Sequence, residues 1–277
     1  EVIPTTLNAS ALRDPDGTVI GAIGILRDMR AYERVVRDLE ESRRELRRAD
    51  KAKDHFLAMV SHELRTPLTA MLGWARLLRA GLQDDSRASR GLQVIERNTK
   101  LLSQLIEDLL DVSRIVTGKL RIERRQVDPV AVVEAAIDAV RGVADAKDIE
   151  LEAFLDPDVG PLLADPDRLQ QVVWNLLSNA IKSSPMHGRV EIRLDRAESA
   201  ARVTVSDKGA GIKPELLPQI FERFRQGERP SGGLGLGLAI VRHIVELHGG
   251  TVRAQSRGEG QGATFTVELP ALNESGT

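Results

Sequence analysis
The sequence predicts two architectures in one chain, α and then α+β. A helical hairpin built to pair into a dimeric four-helix bundle comes first, and a domain of mixed strands and helices follows. Three observations predict this. Two long runs, from about Arg30 to Ala80 and from about Ser86 to Val116, place apolar residues at alternating steps of three and four. From Leu120 onward the pattern changes to short alternating strands separated by helical stretches. In front of both stands a strong turn signal, Asp14-Pro15-Asp16-Gly17, between runs rich in β-branched and small residues.

Residues 1–29 read as a β-hairpin, Val2 to Leu12 against Thr18 to Leu26. Two strands are too few to hold a core alone. Residues 30–80 read as one long helix. Tyr32, Val35, Leu39, Leu46, Ala49, Phe56 and Val60 form a coiled-coil seam, with Ser42 and Lys53 as polar interruptions. The charges flanking that seam belong to a solvated face. The stretch from Ala80 to Ser86, with Gly81 and the paired acids Asp84 and Asp85, breaks the pattern. A second helix then carries Leu92, Ile95, Thr99, Leu102, Ile106, Leu109 and Val116 at the same spacing. One helical hairpin cannot cover both apolar faces, so a two-fold dimer closing a four-helix bundle is the natural solution. Gly118 ends the second helix. Beyond it, strands are expected near 120–127, 149–155, 189–196, 201–207, 251–256 and 263–268, and helices near 129–146, 167–182 and 235–248. The expected organisation is a hairpin over 1–29, a coiled-coil linker over 30–54, a helical dimerisation domain over 55–118, an α+β domain over 119–272 and a disordered tail over 273–277.

Composition narrows the function classes. The chain has 277 residues, enough for roughly two domains. Aromatics make up only 3%, so the core must be built from Leu, Val, Ile and Ala. The formal charge of -2 argues against a protein that coats nucleic acid. Without cysteine there is no disulfide, thiol nucleophile or thiolate zinc site. No apolar run reaches the roughly 18 residues that cross a bilayer, so no membrane contact is expected within this chain. The chain opens on Glu1 inside a strand-like segment. It is expected to be a cytoplasmic portion of something longer, whose full length leaves room for a membrane anchor.

The first chemical motif is Ser61-His62-Glu63-Leu64-Arg65-Thr66-Pro67-Leu68. A neutral imidazole is a good nucleophile near neutral pH. Glu63 can accept the proton of one ring nitrogen while the other attacks. Thr66 lies one helical turn after His62 and shares its face. Pro67 lacks the N–H that the carbonyl of Glu63 would use, so a bend is expected there.

Four pieces downstream point to a nucleotide. Asn175 and Asn179 stand one turn apart on a helix, with Lys182 three residues further on. Amide oxygens so spaced can hold Mg²⁺ beside phosphates, and a lysine can reach phosphate as a point charge. Asp207-Lys208-Gly209-Ala210-Gly211 follows an alternating strand. An acid there can accept from an exocyclic amine, and the glycines let backbone approach a ring. Phe221-Glu222-Arg223-Phe224 lies in a stretch of little periodicity that reads as a lid. Gly232-Gly233-Leu234-Gly235-Leu236-Gly237 opens a helix, where free N–H groups and the dipole favour phosphate. No Gly-Lys-Ser/Thr follows, so this is not a P-loop. Each of these patterns is weak alone.

The run His62 to Leu68 resembles the phosphoacceptor box of sensor histidine kinases. The order and spacing of the four downstream pieces resemble the asparagine, glycine and phenylalanine boxes of the ATP-binding domain of that family. That fold is an α/β sandwich, shared with gyrase and MutL ATPases. Arg13 to Gly17, Gly21 and Arg27-Asp28-Met29 resemble the C-terminal end of a PAS sensor domain, with Asp28 opening the linker helix. The resemblance implies ATP and Mg²⁺ as cofactors, His62 as acceptor, Glu63 assisting transfer and Thr66 placing a hydrolytic water for phosphatase activity. It implies Asn179, with Asn175, as metal ligands and Asp207 on the adenine. Lys182, Gly209, Gly211, Gly233, Gly235, Leu236 and Gly237 complete the nucleotide-binding set. The implied partners are a second copy of the chain and the receiver domain of a separate response regulator.

Two departures stand against the family pattern. Ser183 replaces the aromatic that usually follows the lysine, and the segment Gln226 to Gly232 is short for a lid. They keep a degenerate kinase acting as a dimeric scaffold as one alternative. A gyrase- or MutL-like ATPase clamp is the other, and His62 argues against it.

Overall fold
The computed structural model describes residues 4–80, 85–197, 200–224 and 234–272. Contacts divide it into two compact units, Glu1–Met59 and Val60–Thr277. The short-lid segment from 226 to 232, Gly233 and the tail from Asn273 lie outside the described residues.

In the first unit, β1 (Thr5–Arg13) pairs antiparallel with β2 (Val19–Asp28). The turn is held by Asp14, whose Oδ1 accepts from the N–H groups of Asp16 at 3.1 Å and Thr18 at 2.7 Å. Gly17 takes the left-handed backbone that closes it. Both faces stay open, with Leu7, Ile20, Ile23 and Ile25 exposed, as two strands alone must leave them. Asp28 accepts from the N–H of Arg30 at 2.9 Å and pairs with its guanidinium. This acid at a helix start satisfies an N–H that the first turn leaves free. The helix it opens, α1, spans Arg30–Arg79. Its seam residues Val35, Leu39 and Leu46 are exposed in the single chain. The side chains of Tyr32, Ala49 and Lys53 are outside the described ones.

In the second unit, α1 meets α2 (Asp85–Val116). The Trp74 ring lies against Gly91, and Thr99 Oγ1 donates to Met71 Sδ at 3.1 Å. The helix continues through Pro67, which is buried, without interruption. The seam expected along α2 is left partly open in the single chain, and a second stripe stands beside it. Leu92, Ile106 and Val116 are exposed, whereas Leu105, Val112 and Ile115 are buried. The helix therefore carries two apolar stripes. One packs within the chain, and the other lies open, as do Leu68, Leu72 and Leu77 of α1. A single stripe was expected because the second is interrupted by the acids Asp108 and Asp111. Gly118, φ +64°, then turns the chain out of α2 as its spacing predicts.

The α+β part is two-layered. A sheet of five strands has the order β4 (Glu150–Leu155), β6 (Arg189–Ala197), β7 (Ala200–Asp207), β9 (Ala263–Pro270), β8 (Thr251–Gln255). Only the β4–β6 pairing is parallel. Helices α3 (Pro129–Asp145), α4 (Pro166–Ser183) and α5 (Gly237–Leu247) cover one face. The strands alternate accordingly: Val190, Ile192 and Leu194, Val203 and Val205, and Phe265 and Val267 point into the core. The register sets Val205 opposite Phe265 and Val203 opposite Val267. A small second sheet pairs β3 (Arg125–Val127) with β5 (Leu162–Ala164). The strand expected over 120–127 thus shrinks to three residues, and its three-residue partner was not expected.

The start of α4 is tied to both of its neighbours, α5 and α2. Asp165 caps it, with Oδ1 accepting from the N–H of Arg168 at 3.2 Å, and Pro166 follows at the first helical position. The N–H of Asp165 donates to Nε2 of the buried His248, whose Nδ1 lies 2.8 Å from the Ile244 carbonyl. His248, which sequence alone leaves without a role, therefore ties the end of α5 to the start of α4. Arg168 and Gln171, one turn into α4, both donate to Asp111 of α2 at 2.8 Å. Asp111 is only 4% exposed, so this pair docks the α+β layer on the helical hairpin.

Candidate active site
His62 is 77% exposed on α1, and its Nδ1 lies 3.2 Å from Oε1 of Glu63. A carboxylate only accepts, so this bond puts a proton on Nδ1, and in the neutral ring Nε2 is then the nitrogen with the lone pair. The Thr66 hydroxyl donates to the His62 carbonyl at 3.2 Å, a back-bond within the helix. A shallow groove lined by Ser61, Leu64, Arg65, Leu68, Thr69 and Leu72 runs along the same helix.

The nucleotide-type residues gather around α4, the end of β7 and the start of α5. Asn175 is buried at 8% exposure, and its Nδ2 has no hydrogen-bond partner among the described residues. Such a group calls for an explanation in function. Its Oδ1 faces Gly237 so closely that a Cβ there would stand 3.0 Å away. Asn179 is half-buried one turn on, and Lys182 is exposed at the end of the row. Crowding at its ammonium draws the Lys182 pKa down, opposed by the Asp108 carboxylate of α2.

Asp207 ends β7, buried, with Oδ1 accepting from the N–H of Gly209 at 2.8 Å. Burial pushes its carboxyl pKa up, and the N–H groups of Gly209 and Ala263 oppose that. A side chain at Gly209 would collide with the carbonyl of Ser183, 2.3 Å from the position of a Cβ. The N–H of Ala210 donates to that same carbonyl at 3.1 Å. Ser183 therefore serves the site through its backbone, whatever its side chain. Gly211 has the left-handed backbone that sends the chain away from the loop.

A second loop, which sequence reasoning missed, braces the first. Ser256 Oγ accepts from the Ile212 N–H at 2.9 Å and donates to the Gly262 carbonyl at 2.7 Å. The N–H of Gly262 donates to the Gly209 carbonyl at 3.2 Å. The only available signal was the alternation Gly258, Gly260, Gly262.

Phe221 packs edge-on against the core residue Phe265, ring centroids 6.4 Å apart, and the Phe224 N–H donates to the Gly235 carbonyl at 3.1 Å. The phenylalanine and glycine pieces are thus joined. Gly235 has φ +65°, which no helix accepts, so α5 begins at Gly237 and not at 235. Leu236 is buried beneath that start, and no side chain among the described residues caps it. A helix start presents its first N–H groups to an acceptor outside the helix. No hydrogen bond or ion pair among the described residues joins His62 to the α4–α5 site.

The arrangement defines a class: an exposed imidazole oriented by an acid, and in the same chain a cluster of asparagine, aspartate and glycine residues on an α/β sandwich. The family described as His Kinase A (phospho-acceptor) domain matches residues 52–118. The family described as histidine kinase-, DNA gyrase B- and HSP90-like ATPase matches residues 164–273. The chain is 35% identical over 286 residues to hybrid signal transduction histidine kinase D of Dictyostelium discoideum, covering 86% of this chain and 18% of that protein. The solved histidine kinase AdeS of Acinetobacter baumannii is similar at 28% identity and a TM-score of 0.58, over 76% of this chain and 98% of its own. The solved full-length ShkA, a complex with AMPPNP, is similar at 33% identity and a TM-score of 0.58, over 77% of this chain and 45% of its own. This chain belongs to the sensor histidine kinases. It spans between 18% and 56% of the length of the curated relatives it matches. No described helix is long and apolar enough to cross a membrane.

Proposed function
We propose that the chain is an ATP-dependent protein-histidine kinase that phosphorylates itself on His62 and passes the group to an aspartate of a separate response regulator, in the cytoplasm. The observation that carries this is the exposed His62 ring held through Nδ1 by Glu63, which makes Nε2 the attacking nitrogen. Nε2 attacks the γ-phosphorus of ATP, the bond to the bridging oxygen breaks, and ADP leaves. Positive charge develops on the ring, and the Glu63 carboxylate stabilises it through Nδ1–H. An aspartate carboxylate of the receiver domain then takes the group from Nε2, restoring the neutral ring.

The residues around α4 fit the nucleotide. Asp207 accepts from the exocyclic amine of adenine, and Gly209 and Gly211 let the loop behind it pack close, on the carbonyls of Ser183 and Gly258. Gly235, Leu236 and Gly237 present N–H groups to phosphate, and Lys182 adds charge. Asn179 and Asn175 offer the hard amide oxygens that Mg²⁺ shares with phosphates and water. The unpartnered Nδ2 of Asn175 is a donor and suits a phosphate or water oxygen beside that ion, while its Oδ1 lies at Gly237, where α5 begins. When bound, the ion neutralises phosphate charge during transfer. The open stripes of α1 and α2 support a homodimer closing a four-helix bundle. The test is transfer itself: label from γ-labelled ATP should pass from the purified chain to a cognate receiver domain. A receiver that stays unlabelled beside a labelled chain would refute that second step.

Asp207→Asn separates binding from folding. Burial raises the Asp207 pKa in the folded chain, so its contribution to stability is present below the ordinary value of 3.8 and is lost as pH rises through the raised value. An amide escapes that loss and keeps the acceptor for Gly209. The variant should melt no lower than wild type at neutral pH, yet bind ATP about tenfold or more weakly. In the wild type, affinity should begin to fall on acidification at a pH above the usual carboxylate range. Calorimetric titration at several pH values checks both, and unchanged affinity in the variant would remove Asp207 from the adenine.

Thr66→Ala addresses the phosphatase side. A water-placing hydroxyl predicts near-normal autophosphorylation and slower dephosphorylation of the regulator. The back-bond to His62 is the competing structural role, and its loss would weaken both reactions and lower the melting temperature. Equal loss of the two rates would leave Thr66 as a helix-shaping residue.

A further inference from the structure
Lys147 lies in the turn between α3 and β4, far in sequence from every motif. Its Nζ donates to three carbonyls at the end of α4: Ile181 at 2.9 Å, Lys182 at 3.1 Å and Ser184 at 3.2 Å. A helix leaves its last carbonyls without partners, and the common remedy is a glycine that bends the chain back over them. That remedy is closed here. Ser184, at the cap, has extended backbone, and Pro185 follows it. The cap must come from outside, and one ammonium supplies it with the charge that suits a helix C-terminus.

The fourth carbonyl of the group, that of Ser183, is the one on which the glycine loop sits. It accepts from the N–H of Ala210, and Gly209 abuts it. Gly209 in turn holds Oδ1 of Asp207. A continuous chain of contacts therefore runs from Lys147 through residues 181–184 to Gly209 and Asp207. Lys147 is itself fixed and half-buried. Its N–H donates to the Ala144 carbonyl at 3.0 Å, and its carbonyl accepts from the N–H of His187 at 3.1 Å.

We propose that Lys147 is a positioning residue for nucleotide binding, setting the end of α4 and with it the loop that presents Asp207; this rests on the nucleotide reading of that site. It does not touch the nucleotide. Loss of the ammonium frees three carbonyls, and the Ser183 seat shifts with them.

The test is the affinity of the whole chain for a fluorescent ATP analogue with Mg²⁺, measured beside the melting temperature without nucleotide. Lys147→Met should weaken binding about tenfold, and raise the KM for ATP while kcat at saturation stays within about twofold, because His62 and its surroundings are untouched. Lys147→Arg keeps the charge and can reach part of the carbonyl set, so it should recover most of the affinity. Where Lys147→Met does not fold, Lys147→Arg decides: a weakening of about two- to fourfold, with the KM rising alone, supports the proposal. Wild-type affinity in folded Lys147→Met, or in Lys147→Arg where Lys147→Met does not fold, with only a lowered melting temperature, overturns it and leaves Lys147 a structural cap. Absence of binding in the wild type would instead overturn the nucleotide reading, and the proposal with it.

Discussion

Replacement of His62 by Gln is expected to abolish autophosphorylation while ATP binding stays within about twofold of wild type. Glutamine keeps a polar group on the helix and can still donate to Glu63, but its amide is no nucleophile. The residue is 77% exposed, so the fold should hardly notice, with a stability change within about 0.5 kcal/mol. The nucleotide residues share no hydrogen bond or ion pair with it among those described, which is why affinity should survive. Loss of labelling with retained affinity separates the acceptor from the donor site. Label persisting on the variant would show that another side chain accepts the phosphoryl group.

Asn179→Asp is expected to lower the autophosphorylation rate by about a hundredfold or more. A carboxylate in place of an amide oxygen adds charge where phosphates gather and draws the metal out of place. The side chain is only half-buried, so the cost to folding should stay below about 1 kcal/mol. The same change at Asn175 should behave differently. Asn175 is buried against Gly237, and an unpaired carboxylate there costs several kcal/mol. The melting temperature should therefore fall for Asn175→Asp and hold for Asn179→Asp, while both lose activity. A wild-type rate in Asn179→Asp would remove Asn179 from the metal site.

Long, strongly periodic elements were legible from sequence. The helix from Arg30 to Arg79 and the paired strands Arg189–Ala197 and Ala200–Asp207 follow from spacing and local chemistry. So did the meeting of Asn175 with the glycine segment, because motif order implied it. What escaped depends on contacts distant in sequence. Strand β5 is three residues between Pro161 and Asp165, too short for any alternation to register. The inner stripe of α2 was hidden because Asp111, polar by type, is buried on Arg168 and Gln171. The bracing loop from Ser256 to Gly262 carries no chemical group beyond one hydroxyl, and its role lies in backbone approach. Lys147 looks like any surface lysine until α4 is seen to lack a glycine cap. The helix runs on through Pro67, since one missing N–H leaves the rest of the helical ladder intact.

The central claim is that the phosphoryl group of ATP comes to rest on the imidazole of His62. The most direct measurement is incubation of the wild-type chain with γ-labelled ATP and Mg²⁺, then treatment of the protein with acid or alkali and mapping of the label at neutral pH. The expected result is label that acid removes and alkali spares, carried on the peptide containing His62. Phosphate released to solution with no label on the protein, or acid-stable label on a serine or threonine, would contradict it.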